Sequence, residues 1–184
     1  GEGDGALELR IGFSFVSEEN ARKNLEAEML GRSFADVRSE ATAVWNDLLG
    51  RIRVEGGTER EKGLFYSCLY RSFLWPALRS DVNGEFTDAD GEVVNTGFRY
   101  YTGPSYWDDY RNKLILLGLL APDVAADVIS SDTDRGEKRG GFMPTFFHGD
   151  HASAFVAGVY LRGIRGFDAV SYTHLRAHET VLDL

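Results

Sequence analysis

A chain of 184 residues with 43% hydrophobic composition is long enough to bury a core, and its length bounds it at one or two globular domains. Its 29 acidic residues against 20 basic give a net charge of −9, which repels a phosphate backbone; no local basic patch offsets it, so nucleic acid is excluded as a partner. The single cysteine, Cys68, excludes an internal disulfide and a thiolate metal cluster, and no run of about 18 apolar residues is present to span a membrane.

The chain opens without Met and without a basic-then-apolar leader, so it is expected to be an internal piece of a longer protein. Leu7, Leu9, Ile11, Phe13 and Phe15 alternate with Glu8, Arg10, Gly12 and Ser14, the period of a half-buried strand. One strand with one apolar face needs neighbours, and these are expected upstream of Gly1. Ser17 followed by Glu18 and Glu19 predicts the capped start of a polar helix running towards Met29, with Gly31 as its stop. Ser33 caps a second helix, whose Val37, Ala41, Val44, Trp45 and Leu48 form one apolar stripe ended by Gly50.

Ile52 to Glu55 is a short strand candidate, and Thr58-Glu59-Arg60-Glu61 is a capping box that starts the next helix. Phe65, Leu69 and Phe73, with Leu64, Cys68 and Trp75 nearby, predict a broad apolar face packed among other helices, with Cys68 as a core thiol and Pro76 as the terminator. Asn83-Gly84 and Asp90-Gly91 are turn dipeptides around Glu85 to Thr87 and Glu92 to Val94, a small hairpin. Asp88 and Asp90 also have the flavour of a calcium loop, but the downstream ligands of that motif are missing, which favours a plain turn. Leu114 to Leu120 and Val124 to Ile129 read as helical segments parted by Pro122, and Ser130 to Gly141 as a polar loop. A last amphipathic helix carries Ala152, Phe155, Val156, Val159, Tyr160 and Ile164.

Two stretches concentrate chemistry. From Gly97 to Arg111 aromatic rings interleave with carboxylates and guanidiniums, a composition that suits a sugar: rings cover the apolar face of a pyranose, and charged groups hold its hydroxyl edge. A helix start with an aromatic anchor and a solvated acid pair explains the same residues. Asp108 and Arg111 are three apart and share a helical face beside Trp107, while Asp109 points elsewhere. The second stretch is Phe142 to His151, where Asp150 is most simply a helix N-cap and His148 and His151 fall short of a zinc set. No nucleophile elbow, Walker loop or dinucleotide fingerprint is present.

Seven segments in order resemble glycoside hydrolase family 92, the calcium-dependent exo-acting α-mannosidases. They are F-V-S-E-E-N-A-R-K-N-L-E-A-E at Phe15 to Glu28, L-G-R-I-R-V-E-G-G at Leu49 to Gly57, F-Y-S-C-L-Y-R-S-F at Phe65 to Phe73, S-D-V-N-G-E-F at Ser80 to Phe86, Y-Y-T-G-P-S-Y-W-D-D-Y-R at Tyr100 to Arg111, and G-F-M-P-T-F-F-H-G-D-H-A-S followed by Y-L-R-G-I-R-G-F-D-A. The resemblance implies a mainly α chain: the last strand of an N-terminal β-sandwich at 1–17, linker helices and a short strand at 18–56, and the first part of an (α/α)₆ barrel at 57–170. It implies an inverting enzyme that removes terminal α-linked mannose from mannose-rich glycans; another (α/α)₆ glycosidase and a non-catalytic carbohydrate-binding module are the alternatives. In such an enzyme a Glu protonates the leaving oxygen and a carboxylate activates water across a gap of roughly 6.5–9.5 Å. Calcium is implied as the cofactor, holding and distorting the mannose through its hydroxyls.

The motifs of the family that carry acid, base and the calcium-binding N-E-P lie downstream, and none occurs in this chain. What carries over is Trp107, Asp108 and Arg111 as mannose contacts, with Asp150 and His151 as weaker candidates. The chain by itself is therefore expected to be inactive. The longer protein is expected to be secreted, periplasmic or on the cell surface. Ser171 to Leu184 resembles a peptide that recurs at the ends of unrelated reading frames, and 171–184 is set aside as a non-native tail.

Overall fold

In the computed structural model, which describes residues 7–141 and 149–182, side-chain caps start most of the helices. Ser17 accepts from the Asn20 amide at the start of α1 (Glu18–Met29), Ser33 forms a full capping box with Asp36 on α2 (Phe34–Leu49), and Thr58 does the same with Glu61 on α3 (Glu59–Ser72). α3 stops at Phe73, before Pro76. The two turn dipeptides bracket β1 (Phe86–Thr87), which pairs antiparallel with β2 (Val93–Val94) in the register Phe86 to Val94. α4 (Tyr106–Asp109), α5 (Lys113–Leu120), α6 (Pro122–Lys138), α7 (His151–Leu161) and α8 (Ala169–Leu182) follow. The described chain is thus mainly helical, with one two-stranded ribbon.

The core sits between α5, α6 and α7, around Leu114, Leu117, Val128, Ile129, Phe155, Val156 and Val159. Tyr106 and Tyr101 enter it from the preceding segment. Removing these side chains from water is the main stabilising contribution, each large one worth about 1.5–3 kcal/mol.

Four expectations change. Residues 7–16 form no strand: an extended segment makes a ladder only against a second one, and none lies beside it among the described residues, so Leu7, Leu9, Phe13 and Phe15 stand exposed. Ile52 to Glu55 is not a strand either. The Tyr66 hydroxyl donates to the Ile52 carbonyl at 3.0 Å and accepts from the Val54 amide at 3.4 Å, holding the segment against α3 instead. Cys68 is exposed: Leu69 is the buried residue of α3, and α2 meets the helix at Tyr70 instead, whose ring lies 4.4 Å from that of Trp45. Most consequentially, Ser130 to Lys138 continues α6 as helix. Its polar residues fold inward: Ser131 and Thr133 donate back to the Asp127 and Ile129 carbonyls, and Ser131, Asp132 and Thr133 are buried.

Asp88 behaves as a turn residue, accepting from the Asp90 and Glu92 amides while its other oxygen pairs with Lys138 of α6 at 2.5 Å. On the N-terminal side Asp81 gathers Ser14, Asn20 and Asn24 at 2.6–2.9 Å, tying α1 to the loop before β1. The segment set aside as a tail begins within α8, where Tyr172 packs into the core and its hydroxyl lies 3.1 Å from that of Ser153.

Candidate functional site

α4 is a single turn, and what surrounds it fixes where its side chains go. Tyr106 is buried and packs near Phe155 of α7, with ring centroids 6.2 Å apart. The next residue, Trp107, is exposed. Arg111, just past the turn, places its guanidinium 5.9 Å from the Trp107 ring centroid and 4.6 Å from that of Tyr110, both within cation–π range. Tyr110 stacks on His151 at 4.6 Å with planes 18° apart. One continuous row therefore runs Trp107, Arg111, Tyr110, His151, joining α4 to the first residue of α7.

Three of the five expected residues, Trp107, Arg111 and His151, thus come together. Asp108 lies on the exposed side of the turn and accepts from the Ser105 hydroxyl at 2.5 Å; because α4 ends at Asp109, the expected helical pairing of Asp108 with Arg111 is replaced by this local bond. Asp109 turns the other way to Lys113 at 2.9 Å. Asp150 is the N-cap of α7, accepting from the Ser153 amide at 3.0 Å, and it also pairs with Arg176 at 2.7 Å. Burial pushes its carboxyl up, but the Ser153 hydrogen bonds and Arg176 outweigh this and hold it below the ordinary Asp value. His151 Nε2 is buried with no hydrogen-bond partner among the described residues. His148 lies outside the described residues.

Tyr110, the link in the row, carried no signal in the spacing because its partner is 41 positions away in sequence and meets it only through the packing of α4 on α7. A second missed set lies behind the turn. The Tyr106 hydroxyl makes a short hydrogen bond to Asp132, which in turn holds Arg135; Arg135 donates to the Tyr101 carbonyl at 2.6 Å, and the Tyr100 hydroxyl donates to Asp134 at 3.0 Å. Burial raises Asp132 above the ordinary carboxylate value against the pull of Arg135, raises Tyr106 well above the usual phenol, and pushes Tyr100 up to about 12. The i,i+3 and i,i+4 spacing of Asp132, Arg135, Asp134 and Lys138 was the available sign that this polar stretch is helical.

In the row, Trp107 and Arg111, with Asp108 beside them, are exposed, and Tyr110 and His151 are half-buried: rings to cover an apolar face, a guanidinium and a carboxylate to hold hydroxyls. A cleft of about 620 Å³ bounded by Phe98, Asp134, Glu137 and Phe167 lies apart from it. No cluster of three or more His, Cys, Asp or Glu side chains able to hold a metal ion occurs among the described residues.

Comparison with known proteins places these features in a family. A solved family GH92 alpha-mannosidase, BT3965 from Bacteroides thetaiotaomicron, superposes with a TM-score of 0.82 at 27% identity over 88% of this chain. The inverting mannosidase BT2199 of the same organism superposes with a TM-score of 0.80 at 30% identity over 91%. The chain spans 23% and 24% of those two structures. An uncharacterized secreted glycosidase of Arthroderma benhamiae is 35% identical over 83 residues, which is 43% of this chain and 10% of that protein. The model of the glycosyl hydrolase family 92 catalytic domain matches residues 20–183, nearly the whole chain, and the protein belongs to that family.

Proposed function

We propose that this chain supplies one wall of the sugar site of an inverting exo-α-mannosidase that trims terminal α-linked mannose from mannose-rich glycans outside the cytoplasm. The observation that carries the reading is the row Trp107, Arg111, Tyr110, His151 with Asp108 at its exposed edge, set in a chain that belongs to glycosyl hydrolase family 92. In this reading Trp107 covers the apolar face of the terminal mannose, and Asp108 exchanges its Ser105 bond for sugar hydroxyls. Arg111 donates to the hydroxyl edge, its plane fixed by the two rings. His151 offers Nε2, and Asp150 acts mainly by holding the start of α7.

The general acid, the base and the calcium ligands belong in this reading to residues outside the chain, as do the sandwich strands that pair with 1–17 and the helices that complete an (α/α)₆ barrel begun at 57–170. Bound calcium supplies Lewis-acid contact to sugar hydroxyls. The residues described here do not fit it as a ligand set, so their share is binding and orientation. The secreted reading draws on the name of the Arthroderma benhamiae relative.

The test is mannose release from α-mannosides by the full-length protein. Asp108→Ala is expected to lose about 2–4 kcal/mol in kcat/KM, the range for a donor or acceptor used in the transition state. An unchanged kcat/KM would return Asp108 to a purely structural role. The 184-residue chain alone is expected to release no mannose, since a site without its acid and base cannot reach the transition state. Turnover by the purified chain would overturn that.

A further inference from the structure

The segment that leads into α4 is laid along α6 and fastened to it at successive turns. Arg99 pairs with Asp127 at 2.7 Å, the Tyr101 amide donates to Ser131 Oγ at 3.0 Å, and the Tyr101 carbonyl accepts from Arg135 at 2.6 Å. The Tyr100 hydroxyl donates to Asp134 at 3.0 Å, and the Tyr106 hydroxyl makes its short bond to Asp132. The last of these fasteners lies one residue before Trp107. α4 itself is four residues long, and Ser105 makes no side-chain cap bond to it. A single turn does not hold its own direction in water, so its anchors decide it.

The geometry points to Asp132 as a positioning residue for the sugar-contacting turn: through the Tyr106 hydroxyl it fixes α4, and with it the placement of Trp107 and Asp108. This rests on the mannose-site reading of Trp107 and Asp108. Asp132 touches no substrate. Its Oδ1 is held by Nε of Arg135 at 3.1 Å and by Nη2, leaving Oδ2 for Tyr106. Arg135 in turn lies 5.1 Å from the Tyr100 ring centroid, and Tyr100 stacks on Phe86 at 3.7 Å, so the carboxylate is seated on a braced support.

The experiment compares Trp107→Ala, Tyr106→Phe and Asp132→Asn in the full-length protein, with kcat and KM for an α-mannoside and the thermal midpoint measured for each. Tyr106→Phe removes one hydroxyl and keeps the buried ring, so it leaves the fold in place should Asp132→Asn prove too disruptive. Its KM is expected to rise roughly tenfold, the effect of loosening one contact geometry, and Tyr106→Phe combined with Asp132→Asn is expected to raise KM no further than Asp132→Asn alone, because the Tyr106–Asp132 bond is already lost in it. A merely structural role lowers the thermal midpoint and the active fraction but leaves KM unchanged. Tyr106→Phe with KM within twofold of wild type, beside a Trp107→Ala that loses roughly 30-fold or more in kcat/KM, overturns the positioning role alone. An inert Trp107→Ala overturns the mannose-site reading, and the positioning role with it.

Discussion

α2 carries a capping box, an apolar stripe and a glycine at its end, yet none of its residues is buried; α6 has no side-chain cap and is polar through its second half, yet Ala125, Val128, Ile129, Ser131, Asp132 and Thr133 are all buried. The first is specified locally, by Ser33 and Asp36 satisfying each other's amides. The second is specified by what lies against it: α5, α7 and α8 on its flanks and the 99–106 segment along its polar side. Capping and periodicity decide that a helix forms; neighbours decide whether it becomes core.

Mutations can press on this contrast. The largest expected effect is in the α6 cluster: Leu114→Ala or Ile129→Ala, both fully buried, should cost about 2–5 kcal/mol in denaturant unfolding. Val44→Ala on the α2 stripe, 68% exposed, should stay within about 0.5 kcal/mol in the 184-residue chain. A cost on the α6 scale at Val44 would erase the contrast, and a cost appearing only in the full-length protein would show that the stripe is covered there. Next comes Tyr172→Ala. Buried in the core, it loses about 3 kcal/mol, the low end for a buried aromatic ring, whereas removing 171–184 without change in stability would mark that segment as foreign to the fold.

Smaller effects are expected at the caps. Ser33→Ala and Thr58→Ala should each cost about 1 kcal/mol, read as weaker amide protection in the first turns of α2 and α3. Smallest is a pH effect at the same two sites. The Ser33 hydroxyl and amide hold Asp36 below its ordinary value, and the Thr58 amide and hydroxyl do the same for Glu61. Because the folded-state values are depressed, this stabilisation is present at neutral pH and is lost as pH falls below about 4 through the folded values. Amide protection at the two helix starts should therefore fade on acidification, and protection that rose instead would reverse the sign of the argument.

These cases also mark how far the sequence could be read. Ser17, Ser33, Thr58 and Asp150 were all legible as caps because the cap bond spans three residues, and the hairpin was legible at Asn83-Gly84 and Asp90-Gly91 because turn conformation is a property of the dipeptide. The strand over Leu7 to Phe15 was not secure, since its alternation says which face is apolar but not whether a second strand is present to bond. Ser130 to Lys138 read as loop because Ser131, Asp132 and Arg135 find partners in Tyr101 and Tyr106, some 26–34 residues away. In the site, spacing set Trp107 beside Asp108 and Arg111; Trp107 does lie by Arg111, but Asp108 bonds Ser105 instead, and the stacking of Tyr110 on His151 left no sign in the spacing.

The fastening of 99–106 along α6 works like a vernier. Tyr100 and Tyr101 are neighbours, but the first sends its hydroxyl to Asp134 and the second its backbone to Ser131 and Arg135. Slide the segment by one residue and the two rings exchange sides: the Asp134 carboxylate loses its phenol, and the Arg135 guanidinium faces the wrong carbonyl. Each mismatch leaves a polar group without its partner in or near the interior, at about 1–3 kcal/mol apiece. The polar row inside α6 therefore adds less to how tightly the chain folds than to the uniqueness of its alignment, so that Trp107 arrives at one place on the surface and no other.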